Sequence, residues 1–115
     1  MVKVKILIVD DEEDYCMIMK SYFEDKSFDV DVAYTLTEGL RLMDEVHPDI
    51  IFLDNNLPDG EGWLHYKDIV SKHPGVKLNL ISAYRQKSDD MSNYPNIRIW
   101  EKPISMDSLE KVFAA

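Results

Sequence analysis

The sequence is poor in residues that staple or anchor a chain. It holds one cysteine, Cys16, which excludes an internal disulfide and agrees with a reducing, cytoplasmic setting. Long hydrophobic runs are missing. The strand-like runs Ile6 to Val9 and Ile50 to Leu53 are four residues each, and nothing approaches the ~20 apolar residues of a membrane span. The first nine residues lack the apolar core and cleavage site of a signal peptide. Bases are scarce too: 13 Lys and Arg stand against 22 Asp and Glu, for a net charge of −9. Such a surface repels phosphate backbones, so direct nucleic-acid binding by this domain is not expected.

What remains is ordinary for a globular chain, with 45% hydrophobic and 30% charged residues. The 115 residues fit one domain, residues 1–115, able to bury roughly two-thirds of its unfolded surface. Most of the acidity reads as a solvated surface. The run Asp10, Asp11, Glu12, Glu13, Asp14 differs, because adjacent carboxylates repel one another unless a cation or water screens them.

Short strand-like runs alternate with helix-like segments. The unbroken apolar runs at 6–9 and 50–53 suit strands covered on both faces. Phe28, Val30 and Val32 alternate with acids, and Ile97 and Ile99 alternate with Asn96 and Arg98, so these strands belong nearer the sheet edges. Residues 76–81 are intermediate. Between them, Tyr15, Ile18, Met19, Tyr22 and Phe23 share one helical face. Thr35 and Glu38 form a capping box for a second helix, which Pro48 stops after Val46. Trp63, Tyr66, Ile69 and Val70 line a third, ended by Pro74-Gly75, and Ser105 caps a last one carrying Met106, Leu109, Val112 and Phe113. Residues 86–93 offer only Met91 for burial, so a helix there is expected to be short or mobile. The pattern predicts an α/β fold: a flavodoxin-like, doubly wound, five-stranded parallel sheet of order 2-1-3-4-5, with helices on both faces.

In a parallel sheet, residues just past the strands' carboxyl ends gather on one rim. Here those residues are Asp10 and Asp11, Asp54, Ser82, and Lys102-Pro103. Taken singly each is bland: a paired Asp caps helices, Asp54 sits beside turn formers, Ser82 is structural, and Lys-Pro is a common surface dipeptide. Together they supply a carboxylate nucleophile, oxygen ligands for a hard divalent cation, a hydroxyl and an ammonium, a set complete for phosphoryl transfer. His47, His65 and His73 lack ligand spacing. Cys16 reads as partly buried and inert, and Met17, Met19 and Met43 read as packing.

Over its whole length the chain resembles the response regulator receiver domains of two-component signalling, related to the chemotaxis receivers. The matching pieces are Ile6-Leu7-Ile8-Val9-Asp10-Asp11, Phe52-Leu53-Asp54 with Leu57-Pro58 and Gly62, Ser82-Ala83, and Lys102-Pro103. The resemblance implies that Asp54 accepts a phosphoryl group from a phosphohistidine on a sensor histidine kinase or phosphotransfer protein. It implies Mg2+ held by Asp11, Asp54 and the backbone carbonyl of Asn56, with Asp10 acting through water. Ser82 would hydrogen-bond a phosphoryl oxygen, and Lys102 would pair with the phosphate or with Asp54. Tyr84 and Asn56 would border the phosphoryl group.

The chain departs from the family three residues before the lysine. Ile99 stands where an aromatic residue is usual, and the aromatic is Trp100, which alternation turns to the other face. Switching is then expected to rest on Ser82 and the segment after it, Tyr84 included, rather than on an aromatic rotamer at position 99. Two rivals remain: a pseudo-receiver acting only as a protein-interaction module, and an aspartyl-nucleophile phosphatase, which would want an acid where Asn56 stands. Met1 directly before the first strand reads as the start of the parent protein, and the short last helix is compatible with an output domain beyond the chain.

Overall fold

The computed structural model describes residues 3–83 and 94–113. Its main sheet is built from β1 (Lys5–Val9), β2 (Asp29–Ala33), β3 (Ile50–Asp54), β6 (Lys77–Ser82) and β7 (Ile97–Glu101), with a two-stranded hairpin, β4 (Asn56–Leu57) and β5 (Gly60–Glu61), directly after β3. The main sheet runs β2-β1-β3-β6-β7, and all its pairings are parallel. Counting main-sheet strands alone, this is the expected order 2-1-3-4-5. The alternating segments do lie at the edges, where one polar face can meet water.

Helices cover both faces. Side chains alternate along a strand, so β1 sends Leu7 and Val9 one way and Ile6 and Ile8 the other. Leu7, Val9, Ile51, Leu53, Leu78 and Leu80 pack under α2 (Leu36–Val46) and α3 (Tyr66–Lys72). Ile6, Ile8, Ile50, Phe52 and Ile81 pack under α1 (Glu13–Asp25) and α4 (Met106–Phe113). At the centre of that second layer Phe23 meets Phe28 and Phe113 edge to face, with centroids 5.6 and 5.4 Å apart, a favoured aromatic geometry.

The helix ends follow their sequence signals. The Glu38 amide donates to Thr35 Oγ1 at 3.2 Å, and the Ser108 amide donates to Ser105 Oγ at 3.1 Å. His47 closes α2 in the left-handed region, immediately before Pro48. The third helical segment opens differently from expectation: Gly62–His65 is a 3-10 turn, and α3 proper begins at Tyr66.

Helix α1 also corrects the reading of its buried stripe. Cys16, Met19 and Phe23 are its buried residues, Cys16 completely so, whereas Ile18 is 57% and Met17 64% exposed. The spacing i, i+3, i+7 from Cys16 defines the inward face, with Tyr15 and Tyr22 flanking it. Cysteine packs as a small hydrophobe, and Ile18 falls outside the arc. The segment 86–93 lies outside the described residues.

Candidate functional site

Strand order reverses between β1 and β3, and it is here, past the strands' carboxyl ends, that a doubly wound sheet opens a crevice. Asp10, the residue after β1, is fully buried, and Asp54, the last residue of β3, is 3% exposed. Asp11 follows Asp10 and is exposed. The three carboxylates each place an oxygen within 4.8 Å of the others'. Oxygens bound to a small divalent cation at ~2.1 Å lie at most ~4.2 Å apart, so modest side-chain rotation closes this set around one ion.

Lys102, beyond the end of β7, completes the cluster. Its Nζ lies 2.8 Å from Asp10 Oδ2, 3.1 Å from Glu12 Oε1 and 3.5 Å from Asp54 Oδ1. The Asp10 contact is an ion pair rather than an aligned hydrogen bond, because Oδ2 is buried without a hydrogen-bond partner. This buried carboxylate faces the ammonium through Oδ2. Its other oxygen accepts from the Glu12 amide at 3.0 Å, fixing the side chain in a local turn. The ammonium also sits 5.1 Å from the Tyr15 ring centroid. Its Pro103 bond is cis.

Electrostatics follow from this crowding. Burial, then the negative charge of Asp10, pushes Asp54 up to about 6, although Lys102 pulls the other way. Asp10 is raised too, again chiefly by burial. Burial works against the Lys102 ammonium, but its contacts with Asp10, Asp54 and Glu12 outweigh that and raise its pKa. Among the described residues one lysine is shared by three acids, and a hard divalent cation would fit the deficit of positive charge this leaves. Cys16, whose thiol donates to the Asp10 carbonyl at 3.3 Å, is pushed up to about 12 by burial, so it stays protonated and inert.

The backbone that presents Asp54 is held from the side. The Asn55 amide donates to the Ile81 carbonyl, and the Asn55 carbonyl accepts from Gly62, both at 3.0 Å. Asn55 Oδ1 accepts from the Trp63 amide at 3.2 Å, and the Trp63 indole donates to the Ile81 carbonyl at 3.2 Å. Position 62 admits only glycine: a Cβ there would overlap the Asp54 carbonyl oxygen and press on Leu53 at 2.9 Å.

The other expected residues fall around this centre. Ser82 ends β6, is 2% exposed, and its carbonyl accepts from the Lys102 amide at 2.9 Å. Asn56 opens β4, two residues past Asp54, and is exposed. Ile99 is 39% exposed on β7. Trp100 packs with the opposite layer, its indole donating to buried Asn79 Oδ1 at 2.9 Å, so the two side chains do take opposite faces. Tyr84 lies outside the described residues. Of the methionines, Met19 and Met43 are buried as expected, but Met17 is not. Glu12, Tyr15 and Asn55 were missed as neighbours of the site. Only the acidic run hinted at Glu12, and nothing local marked the others.

A flavodoxin-like sheet with a carboxylate pocket at its switch point defines the class: an α/β protein whose clustered acids could hold a hard cation. Residues 6–113 match the family model described as the response regulator receiver domain, and the chain belongs to that family. It is 34% identical over 85 residues to the chemotaxis protein CheY of Listeria monocytogenes, covering 73% of this chain and 71% of that protein. With the transcriptional regulatory protein YxdJ of Bacillus subtilis it shares 31% identity over 105 residues, 90% of this chain but 45% of that protein. The CheY-like receiver domain of Methylobacillus flagellatus superposes with a TM-score of 0.83 at 25% identity, over 96% of each chain. That of Methanospirillum hungatei gives 0.83 at 26% identity, over 96% of this chain and 91% of its own. Receiver domains are signalling phosphoacceptors of two-component systems. Among the described residues, no helix is long and apolar enough to cross a membrane.

Proposed function

We propose that residues 1–115 form one receiver domain that takes a phosphoryl group onto Asp54 from a phosphohistidine of a sensor histidine kinase or phosphotransfer protein. One observation carries this reading: Asp10, Asp11 and Asp54 converge within 4.8 Å on a pocket whose only close ammonium among the described residues is Lys102. Asp11, Asp54 and the Asn56 carbonyl would hold Mg2+, with Asp10 acting through water. When bound, the ion supplies positive charge that screens the acids and the incoming phosphoryl oxygens.

The chain's own residues do the rest. The strand end and the Asn55 bonds hold Asp54 in place. One Asp54 oxygen attacks phosphorus, the P–N bond breaks, and its electron pair returns to the donor imidazole nitrogen. The product is an acyl phosphate on Asp54. Lys102, already 3.5 Å from Asp54 Oδ1, moves from pairing with carboxylates to pairing with phosphoryl oxygens. Ser82 donates a hydroxyl to one of them. This shifts an equilibrium at the end of β6, with Ser82, Tyr84 and the surface around Ile99 as the switch elements. Trp100 is engaged with Asn79, which supports a switch without that ring.

The domain acts as a cytoplasmic signalling phosphoacceptor rather than a turnover enzyme. Its reader is a partner protein or a C-terminal output domain outside this chain, as the regulatory relatives suggest. The net charge of −9 supports no direct contact with nucleic acid. Incubation with magnesium chloride and a small acyl-phosphate donor, followed by intact-mass measurement, tests this. One stable added phosphoryl group on wild type, absent from Asp54→Asn and absent with a chelator, is expected. No label would return the chain to the pseudo-receiver alternative, and rapid multiple turnover of the donor would make it a phosphatase.

A further inference from the structure

Asp59 sits at the turn between β4 and β5, five residues beyond Asp54. Its carboxylate reaches across to the start of α2. It accepts from the Leu36 amide at 2.7 Å, from the Thr37 amide at 2.8 Å and from the Thr37 hydroxyl at 2.6 Å. The free amides of a helix start are normally met by a residue just before the helix, and Thr35 meets the Glu38 amide that way. Here two more are met by a side chain over twenty positions away.

That clasp matters because the hairpin cannot hold itself. Its ladder pairs only Asn56 with Glu61 and Leu57 with Gly60, and so short an isolated pair is not stable in water. The base is fixed beside Asp54 by the bonds from Gly62 and Trp63 to Asn55. The tip is fixed by Asp59 on α2, with Leu57 buried in the same layer as Leu36. Between base and tip lies Asn56.

We propose that Asp59 is a positioning residue of the phosphoacceptor site, a latch whose closure on the Leu36 and Thr37 amides sets the Asn56 backbone for binding of the divalent cation. This rests on the phosphoacceptor reading above. Coupling of two sites is reciprocal: if the latch favours the ion, the ion must favour the latch. A purely structural clasp would hold α2 equally with and without the ion.

Amide hydrogen exchange on the wild-type chain, with magnesium chloride and with a chelator, reads this at Leu36 and Thr37. Both amides are expected to gain protection when magnesium binds. Asp59→Ala is expected to weaken magnesium binding, measured by calorimetry, by a comparable factor of roughly five to ten. Thr37→Val removes one of the three donors and is expected to give a smaller loss in the same direction. It keeps the question answerable if Asp59→Ala does not fold. Protection unchanged while wild type binds magnesium, or a folded Asp59→Ala chain binding as tightly as wild type, would overturn the latch and leave the phosphoacceptor reading standing. A wild-type chain that binds no magnesium would remove that reading, and the latch with it.

Discussion

Asp54 and Asp59 are five residues apart in sequence and opposite in character. Asp54 is buried beside Asp10, with one lysine 3.5 Å away, and its pKa is pushed up to about 6. Asp59 is exposed to solvent, yet the Thr37 hydroxyl and the amides of Thr37 and Leu36 hold it down at about 2. Donors make the difference. A carboxylate whose charge is met by three directed donors serves as a clip. One kept from water and set among like charges keeps a charge still to be met, which suits the cation-ligand and phosphoacceptor roles proposed for Asp54.

Removing the lysine tests the buried side of this contrast most severely. Lys102→Met removes the ammonium that pairs with Asp10 and Asp54, and a loss of about 3 kcal/mol is expected by urea denaturation at pH 7. The loss is expected to shrink toward pH 5, as the buried acids protonate and the need for an ammonium fades. A loss independent of pH would mean that Lys102 acts through packing instead.

Asp54→Asn reverses the sign. The folded pKa of Asp54 is raised above its unfolded value, so ionisation costs folded-state stability as pH climbs from about 4 through about 6. Without divalent ions the variant is expected to be more stable than wild type by on the order of 2 kcal/mol at pH 7.5, and equal to it at pH 3.5. Equal stability at both values would show that Asp54 is not strained by its surroundings.

Asp59 carries the opposite linkage. Its folded pKa is depressed, so its contribution is present above about pH 4 and lost as pH falls toward about 2. Asp59→Ala is therefore expected to unfold at lower urea than wild type at neutral pH, with the two curves converging near pH 2. Curves that stay apart at that pH would assign the effect to something other than the charge. Thr37→Val is expected to give the smallest change, a lower urea midpoint at neutral pH by less than for Asp59→Ala.

The same contrast marks what the sequence could reveal. Strands were visible because four-residue apolar runs and two-residue alternation are local patterns, and Asp10, Asp11, Asp54, Ser82 and Lys102 were visible because each sits at a strand end. A parallel sheet sends all such ends to one rim. Nothing in the sequence marks Asp59, since its partners lie more than twenty residues earlier and no local rule connects them. Helix α1 shows a different failure. Apolar residues surround its first two turns, so periodicity admitted Ile18 as readily as Cys16, and only burial in the layer that also holds Phe52 and Ile81 separates them. The missing aromatic at Ile99 was legible. That Trp100 would find Asn79 on the neighbouring strand was not.

Magnesium titration calorimetry on the wild-type chain, repeated in buffers of different ionisation heat, addresses the acidic pocket most directly. One ion per chain is expected, with a fraction of a proton released at pH 6, where Asp54 is half protonated, and none at pH 8. Both signals should vanish in Asp54→Asn. Binding that persists undiminished in that variant, or that releases no proton at pH 6, would place the ion elsewhere and contradict a shared site at Asp10, Asp11 and Asp54.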